Sequence, residues 1–232
     1  EGADGFFRIY LQGRVDRNVV TDGLGRRFEL ANLSYKPYPC CRDTHTAIDA
    51  ILQIRASAPR PASDIQSIRV GLTGPGYQMV CVPEQVRLAP RTIVEAQFSI
   101  PYTVAASWID GPLGMKHFTD EGLQRSDILD LALRVQPYVD EEIDREWHRF
   151  VPPARVTVNF RDGQSNEVRV NYPKGHPENA MTAAEFTAKT MDCAKYVACP
   201  LPGDSATRLI AAVAKLETLD DIAGLMDVMS GR

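Results

Sequence analysis

Hydrophobic residues recur along much of the chain at the spacing of amphipathic helices. Apolar side chains fall three or four positions apart in residues 5–11, 44–56, 100–108, 127–134, 182–193, 204–216 and 218–229. Because this spacing places them on one face, each stretch predicts a helix that packs against other elements. Two of the predicted helices open with capping patterns, Thr182-x-x-Glu185 and Thr218-x-x-Asp221.

Alternating patterns predict strands between these helices. Residues 64–72 and 151–160 alternate apolar and polar side chains, which is typical of half-buried strands. A turn at Asp162-Gly163 joins the second stretch to residues 167–170, so the sequence predicts a β-hairpin there. We expect Gly74-Pro75-Gly76 to close the first strand, residues 80–86 to be irregular, and residues 27–30 to form a further short strand.

The segment that precedes the second predicted helix carries candidate chemistry. Two prolines just after Lys36 favour an extended backbone and hold this lysine on a stiff segment. Asp43 or Thr44 can cap the helix, which leaves Arg42 and His45 near an end that is rich in unpaired N–H groups. Together these groups predict a carboxylate-binding site. The spacing alone fits equally well a proline-rich turn into an ordinary amphipathic helix.

Composition narrows the classes of function. The net charge of −4 and the pI near 5.6 argue against nucleic-acid binding, which normally needs a basic surface. A membrane span needs about 18 consecutive apolar residues, and no stretch of the sequence is that long. The N-terminus lacks a signal-peptide pattern. The five cysteines are an odd number, which does not suit a secreted disulfide framework and favours a reducing cytoplasm. We expect no structural metal site. Since the chain does not begin with Met, we expect a fragment or a processed product.

A resemblance to a known family rests on two motifs. The run Lys36-Pro-Tyr-Pro-Cys-Cys-Arg42 with Thr44-His45, followed by Phe98-Ser-Ile-Pro-Tyr102, resembles the MmgE/PrpD family. Ala105-Ala106, residues 118–122 and Lys174-Gly-His-Pro177 extend the similarity. The family includes 2-methylcitrate dehydratases, cis-aconitate decarboxylases and iminodisuccinate epimerases. Its members are much longer than this chain, which therefore resembles their C-terminal half.

The resemblance implies an α+β fold in a two-domain protein, with the active site in the cleft between a helical domain and a smaller lid. Residues 34–180 are expected to form the α+β lid. Residues 1–33 would be a helical-domain segment and linker, and residues 181–232 would be helices that return to the helical domain. The implied partner is a second copy in a homodimer, or a helical-domain segment that pairs with this chain.

The implied chemistry is proton abstraction next to a carboxylate without a cofactor, on a di- or tricarboxylic acid. Loss of hydroxide, as in a 2-methylcitrate dehydratase-like hydro-lyase, epimerisation or decarboxylation would follow. The chain alone is expected to be inactive, because other acid and base groups of the family lie outside it. Two alternatives remain open: a lid-like module that binds carboxylates or a partner without catalysis, and a proteolytic remnant with no independent role.

Four residues are the candidates for the site. By the resemblance, Lys36 binds a substrate carboxylate, and His45 and Tyr102 are catalytic. The N-terminal end of a helix would keep His45 neutral, so that it can accept a proton or donate a hydrogen bond. Arg42 is added because its fork can bind both oxygens of a carboxylate. The alternatives are a surface lysine, a hydrogen-bonded helix-end histidine and a core tyrosine.

The other histidines and the cysteines are weaker candidates. His148 lies among charges and is expected to be solvated, whereas His117 and His176 lie in predicted loops, where a site role stays open. Cys40 or Cys41 can act as a nucleophile only beside a base, and inert buried thiols are commoner.

Overall fold

A computed structural model describes residues 2, 4–147, 151–198 and 200–230. The chain divides into two compact units, Glu1–Leu33 and Ser34–Arg232, and each is described by itself. His148 lies outside the described residues. In the described part of the chain, no helix has the length and apolar character that a membrane span needs.

The first unit consists of short helices. Helix α1 spans Phe6–Leu11, helix α2 spans Arg17–Thr21, and a 3-10 helix spans Glu29–Asn32. The predicted helix at 5–11 is therefore confirmed, and the predicted strand at 27–30 is wrong. A strand needs a neighbour to take up its backbone hydrogen bonds, and the described residues of this unit form no other strand.

The second unit mixes helices with one sheet, which confirms the α+β fold class. Its helices are α3 His45–Ser57, α4 Gly74–Cys81, α5 Glu84–Leu88, α6 Ile93–Gln97, α7 Ile100–Asp110, α8 Asp120–Leu123, α9 Ser126–Ala132, α10 Glu141–Glu146, α11 Ala183–Cys193, α12 Ser205–Val213 and α13 Ala223–Ser230. Its strands are β1 Ile65–Leu72, β2 Val135–Val139, β3 Ala154–Phe160 and β4 Ser165–Val170. Short 3-10 helices lie at Arg42–Thr44, Ala62–Asp64, Met115–Phe118, Ala194–Tyr196 and Leu216–Thr218.

The four strands form one mixed sheet in the order β2-β1-β3-β4. Strands β1 and β2 run parallel, whereas β3 pairs antiparallel with both β1 and β4. The strands β3 and β4 are joined directly, as the predicted hairpin requires. Arg60 closes its turn by pairing with Asp162 at 2.6 Å.

The two faces of the sheet differ in polarity. Val70 pairs with Val156 on the buried face, and helices α3 and α7 pack against the sheet and each other. On the other face Arg155 contacts the carboxylates of Asp140 and Glu142 at 2.9 and 2.6 Å. The alternation predicted for the strands therefore separates an apolar core face from a charged face.

Several elements differ from the sequence prediction. Gly74-Pro75-Gly76 follows the end of β1 as predicted, but it also opens helix α4, because the Thr73 hydroxyl accepts from the N–H of Gly76 and proline suits the first helical turn. The prediction that residues 80–86 are irregular is wrong in part, since α4 ends at Cys81 and α5 begins at Glu84. Strand β2 was not predicted, since it is short and contains Pro137. It lies at the edge of the sheet, where a missing N–H is tolerated.

The C-terminal helices differ in how closely they follow their local signals. Helix α11 begins with the predicted capping box, in which Thr182 and Glu185 bind each other's backbone N–H groups. At the last helix, α13, the predicted Thr218 cap is wrong. The carboxylate of Asp221 accepts from the N–H of Ala223 instead, because residues 216–218 form a separate 3-10 turn.

Candidate functional site

The segment that carries Lys36 is held by contacts on both sides. The N–H of Tyr35 donates to the carbonyl of Gly175 at 2.9 Å, and the Tyr35 ring packs edge-on against Phe186 of α11. The carbonyl of Lys36 accepts from the ammonium of Lys189 at 2.6 Å, also on α11. The side chain of Lys36 itself is exposed. The backbone here is therefore fixed while the cation faces solvent.

Helix α3 begins where the sequence predicted but by a different device. Thr44 occupies the N-cap position, yet neither it nor Asp43 caps the helix with its side chain. The Thr44 hydroxyl donates instead to the carbonyl of Cys41 at 2.8 Å, within the 3-10 turn. Burial raises the pKa of the Asp43 carboxyl, and the positive charge of Lys36 opposes that shift. The charge of Lys36 therefore acts on the Asp43 carboxyl, just before the start of α3.

Arg42 uses its guanidinium to tie loops of this chain together. Its Nη1 group donates to the carbonyl of Tyr35 at 2.9 Å and of Lys174 at 3.4 Å, and its Nη2 group donates to the Ser34 hydroxyl. Its Nε atom is buried without a hydrogen-bond partner. Burial also lowers the pKa of Arg42. The fork predicted for a substrate carboxylate is thus largely occupied by the protein backbone.

His45 is fully buried and is held in one tautomer by its neighbours. Nδ1 lies 3.1 Å from Nη1 of Arg42 and must accept, since a guanidinium has no acceptor. The proton is therefore on Nε2, which lies 3.4 Å from the carbonyl of Cys40. Burial, followed by the charge of Arg42, lowers the pKa of His45 to about 3. The predicted neutral state is present, with burial and Arg42 as its main causes.

Tyr102 lies in the core and supports the backbone of a neighbouring segment. Its hydroxyl donates to the carbonyls of His117 at 2.6 Å and Gly122 at 3.1 Å, and its ring lies beside Phe118. Burial raises its pKa to about 12. Among the described residues, its side-chain hydrogen bonds and its ring contact are made with residues 117–122 and not with Lys36, Arg42 or His45. Arg42 and His45 are in direct contact, whereas the side chain of Lys36 is exposed, and the catalytic role of Tyr102 stays a prediction.

His117 is the buried member of an ion cluster next to this segment. Its Nε2 lies 3.1 Å from Asp110, which also accepts from Arg125 at 2.6 Å and Lys116 at 2.7 Å. Its Nδ1 accepts from the N–H of Gly114 at 3.0 Å. Burial lowers the pKa of His117. Its ring nitrogens are therefore used to fix the loop before α8.

His176 lies in the loop that the sequence predicted. Its backbone forms an isolated β-bridge with Asn179, and its Nδ1 accepts from the N–H of Glu178 at 3.1 Å. The geometry thus gives His176 a part in the shape of this loop. Among the described residues, no group of three or more histidine, cysteine or acidic side chains has the arrangement of a metal site.

A hollow of about 370 Å³ opens beside the Lys36 segment. It is bounded by residues 37–39 and 112–116, by Lys174 and Met181, and by side chains of α11 that include Lys189 and Cys193. Three lysines, Lys116, Lys174 and Lys189, and two carboxylates, Glu185 and Asp192, are among the residues of its mostly apolar walls. We call this space the lysine hollow. Sequence reasoning did not find it, because its walls come from distant parts of the chain.

Asp49 is a second feature that the sequence did not reveal. It is 7% exposed and lies on α3, where its two oxygens accept from the Tyr38 hydroxyl at 2.7 Å and from the N–H of Lys174 at 2.6 Å. Burial raises the pKa of its carboxyl. A lone carboxylate in the buried stretch that begins α3 was the available signal. Asp49 connects two walls of the lysine hollow from inside the core.

Comparisons of the sequence with known proteins identify relatives of this chain. The chain is similar to cis-aconitate decarboxylase of Aspergillus terreus, 27% identical over 187 residues that cover 75% of this chain and 37% of that protein. It is also similar to the cis-aconitate decarboxylase-like protein oryM of Aspergillus oryzae, 26% identical over 98% of this chain and 48% of that protein. A mouse cis-aconitate decarboxylase is 24% identical over 86% of this chain and 40% of its own length.

The chain thus spans less than half the length of these curated relatives. The sequence model of a protein family, the MmgE/PrpD C-terminal domain, matches residues 38–218, which make up most of the second unit. The chain therefore belongs to the MmgE/PrpD family, of which it contains the C-terminal domain.

Proposed function

We propose that the chain is the C-terminal portion of a lyase or isomerase that acts on di- and tricarboxylic acids. The observation that carries the proposal is the positive charge gathered around a neutral imidazole. The charges of Arg42, Lys36 and Lys189 all oppose protonation of His45. Positive charge in a partly buried site stabilises carboxylates and the charge that develops beside them. The relatives named as cis-aconitate decarboxylases support the same substrate class.

In this proposal a base removes a proton from the carbon next to a carboxylate, and the electron pair spreads into that carboxylate. Loss of hydroxide completes a dehydration, and return of a proton to the opposite face completes an epimerisation. In a decarboxylation the proton is first returned to the substrate, carbon dioxide then leaves, and the carbon that keeps the electron pair of the broken bond takes up a proton from an acid. Lys36 binds the substrate carboxylate, because it is the exposed cation of the motif. His45 stays uncharged and hydrogen-bonds to Arg42 and to the carbonyl of Cys40. Arg42 and Tyr102 hold the surrounding backbone in place.

We further propose that residues 34–180 are the lid, and that residues 1–33 and 181–232 belong to a helical domain. Exposed apolar side chains support this division: Phe6 and Tyr10 in the first unit, and Met226 and Met229 on α13. The partner would be a helical-domain segment or a second copy. A cytoplasmic location agrees with the free thiols of Cys40, Cys41, Cys81 and Cys193.

The test compares the 232 residues alone with the longer protein that contains them. Conversion of cis-aconitate and dehydration of 2-methylcitrate are measured for both. We expect turnover by the longer protein only, and its loss in Lys36→Gln but not in Lys215→Gln, a change at an exposed lysine after α12. Robust turnover by the 232 residues alone would contradict the proposed incompleteness.

A second outcome would favour the alternative function. Binding of the acids without turnover by the longer protein would indicate a carboxylate-binding module rather than an enzyme. Size-exclusion chromatography of the 232 residues separates the same two possibilities. A monodisperse monomer is expected for an autonomous module, whereas aggregation or obligate pairing is expected for a portion that has lost its partner surface.

A further inference from the structure

We propose that Lys174 and Lys189 make the lysine hollow a subsite for the carboxylate farthest from Lys36, and so select substrates by their number of negative charges. The inference rests on the proposed function, which supplies the substrate class. It adds the residues that distinguish a tricarboxylate from acids with fewer charges.

The two lysines are placed independently of each other. Lys174 sits on a loop whose N–H is held by Asp49 at 2.6 Å, and its ammonium lies 3.3 Å from Glu185. Lys189 projects from α11, and its ammonium lies 2.6 Å from the carbonyl of Lys36. Each contact uses one of the three N–H groups that an ammonium carries. Both lysines therefore retain donors for a ligand in the hollow.

The acidic side chains of the hollow are satisfied by donors of their own. Oε2 of Glu185 accepts from the N–H of Thr182 at 2.7 Å and from its hydroxyl at 3.0 Å. Asp192 accepts from the N–H of Met115 at 2.9 Å. Because these carboxylates are fixed by backbone donors at helix and loop ends, they do not need the lysines to remain in place.

The shape of the hollow also fits the proposed ligand. It adjoins the backbone of Lys36, because Pro37 lines it and the Lys36 carbonyl lies 2.6 Å from the ammonium of Lys189. In the proposal, a substrate whose first carboxylate pairs with Lys36 extends from there towards Lys174 and Lys189. Its volume of about 370 Å³ admits a molecule of the size of citrate. The apolar side chains of Leu113 and Met115 reduce the competition from water, which strengthens charge pairing.

The free thiol of Cys193 gives a direct test of occupancy. Cys193 is exposed and lines the hollow, so a bound ligand slows its alkylation by a maleimide. Citrate, succinate and butyrate serve as probes at equal ionic strength, with the 232-residue chain as the protein. Trypsin cleaves after Lys195, which separates the label on Cys193 from the label on Cys199. We expect protection by citrate at the lowest concentration, then by succinate, and none by butyrate.

Glutamine variants separate charge from hydrogen bonding. Lys174→Gln and Lys189→Gln keep an N–H donor for Glu185 and for the carbonyl of Lys36 but remove the charge. Each is expected to raise the citrate concentration for half-protection by about tenfold or more. Lys174→Arg and Lys189→Arg retain protection, and Lys215→Gln leaves it unchanged. Circular dichroism checks the folding of every variant, and the arginine variants still report on charge where a glutamine variant unfolds.

Equal protection by the three acids, or unchanged citrate protection in both glutamine variants, overturns the proposal. This failure is distinct from failure of the proposed function. If the longer protein converts tricarboxylates but Cys193 shows no charge-dependent protection, the subsite is refuted and the proposed function is supported. If citrate protects Cys193 in a longer protein that converts no carboxylic acid, the subsite is supported and the proposed function is refuted.

Discussion

The Tyr38 hydroxyl lies 2.7 Å from Oδ1 of Asp49, and both residues are buried. The other oxygen of the same carboxylate holds the N–H of Lys174, which is 125 positions away in the sequence. Burial raises the pKa of Tyr38 and of Asp49, so the phenol keeps its proton and donates it. One carboxylate therefore sets the spacing between two walls of the lysine hollow.

Asp49→Leu is expected to lower the free energy of unfolding by roughly 2 kcal/mol or more, because it leaves two buried donors without an acceptor. Asp49→Asn is the matched control. Its oxygen can accept from Lys174 and its amide can donate to the oxygen of Tyr38, so a smaller loss is expected. Urea denaturation measures both. Equal losses of unfolding free energy in the two variants would show that Asp49 does not stabilise the chain through these hydrogen bonds.

Stability should depend on the protonation of His45. Its pKa in the folded chain is about 3, below its ordinary value of 6.5, chiefly because it is buried. Between these values the unfolded chain binds a proton that the folded chain does not. Stability is therefore present above pH 6.5 and is lost as the pH falls towards 3, by up to about 1.4 kcal/mol per pH unit.

His45→Gln removes this contribution. Urea denaturation from about pH 7 to about pH 5 should show the stability difference between wild type and variant shrinking as the pH falls. The burial of His117 shifts its pKa in the same direction, but His117 is present in both proteins and cancels in the difference. A difference that stays constant across this range would contradict the buried, neutral state of His45.

Tyr102→Phe tests whether Tyr102 supports the backbone. Removal of its hydroxyl leaves the carbonyls of His117 and Gly122 without this donor, which should cost about 1–3 kcal/mol in urea denaturation. Tyr196→Phe, at an exposed ring, is the control and should change little. A Tyr102→Phe variant as stable as wild type would leave substrate contact as the remaining explanation for the motif tyrosine.

A pair of glycines isolates the contact that fixes the Lys36 segment. Gly175 and Gly163 both have positive φ, 86° and 85°, so alanine is strained at each. A Cβ at Gly175 would also meet the carbonyl of Tyr35, whereas the space at Gly163 is open. Gly175→Ala should therefore lose more stability than Gly163→Ala, and it should also weaken citrate protection of Cys193. Equal losses in thermal unfolding would contradict this packing.

Local signals in the sequence predicted many of the elements, and nonlocal contacts account for some of the misses. Helix α11 follows from a capping box, and the β-hairpin follows from alternation around Asp162-Gly163. Strand β2 depends on pairing with β1, which its own five residues do not encode. The motif located Lys36, Arg42 and His45 together. The lysine hollow required Lys174 and Lys189, whose positions are set by Asp49 and by the Lys36 carbonyl.

The bond from Lys189 to the carbonyl of Lys36 spans 153 positions of sequence. It fastens helix α11 to the backbone of the residue proposed to meet the substrate. The Tyr35 ring, which packs against Phe186, connects the same helix to the same segment. A displacement of α11 would therefore also displace the backbone of the motif lysine.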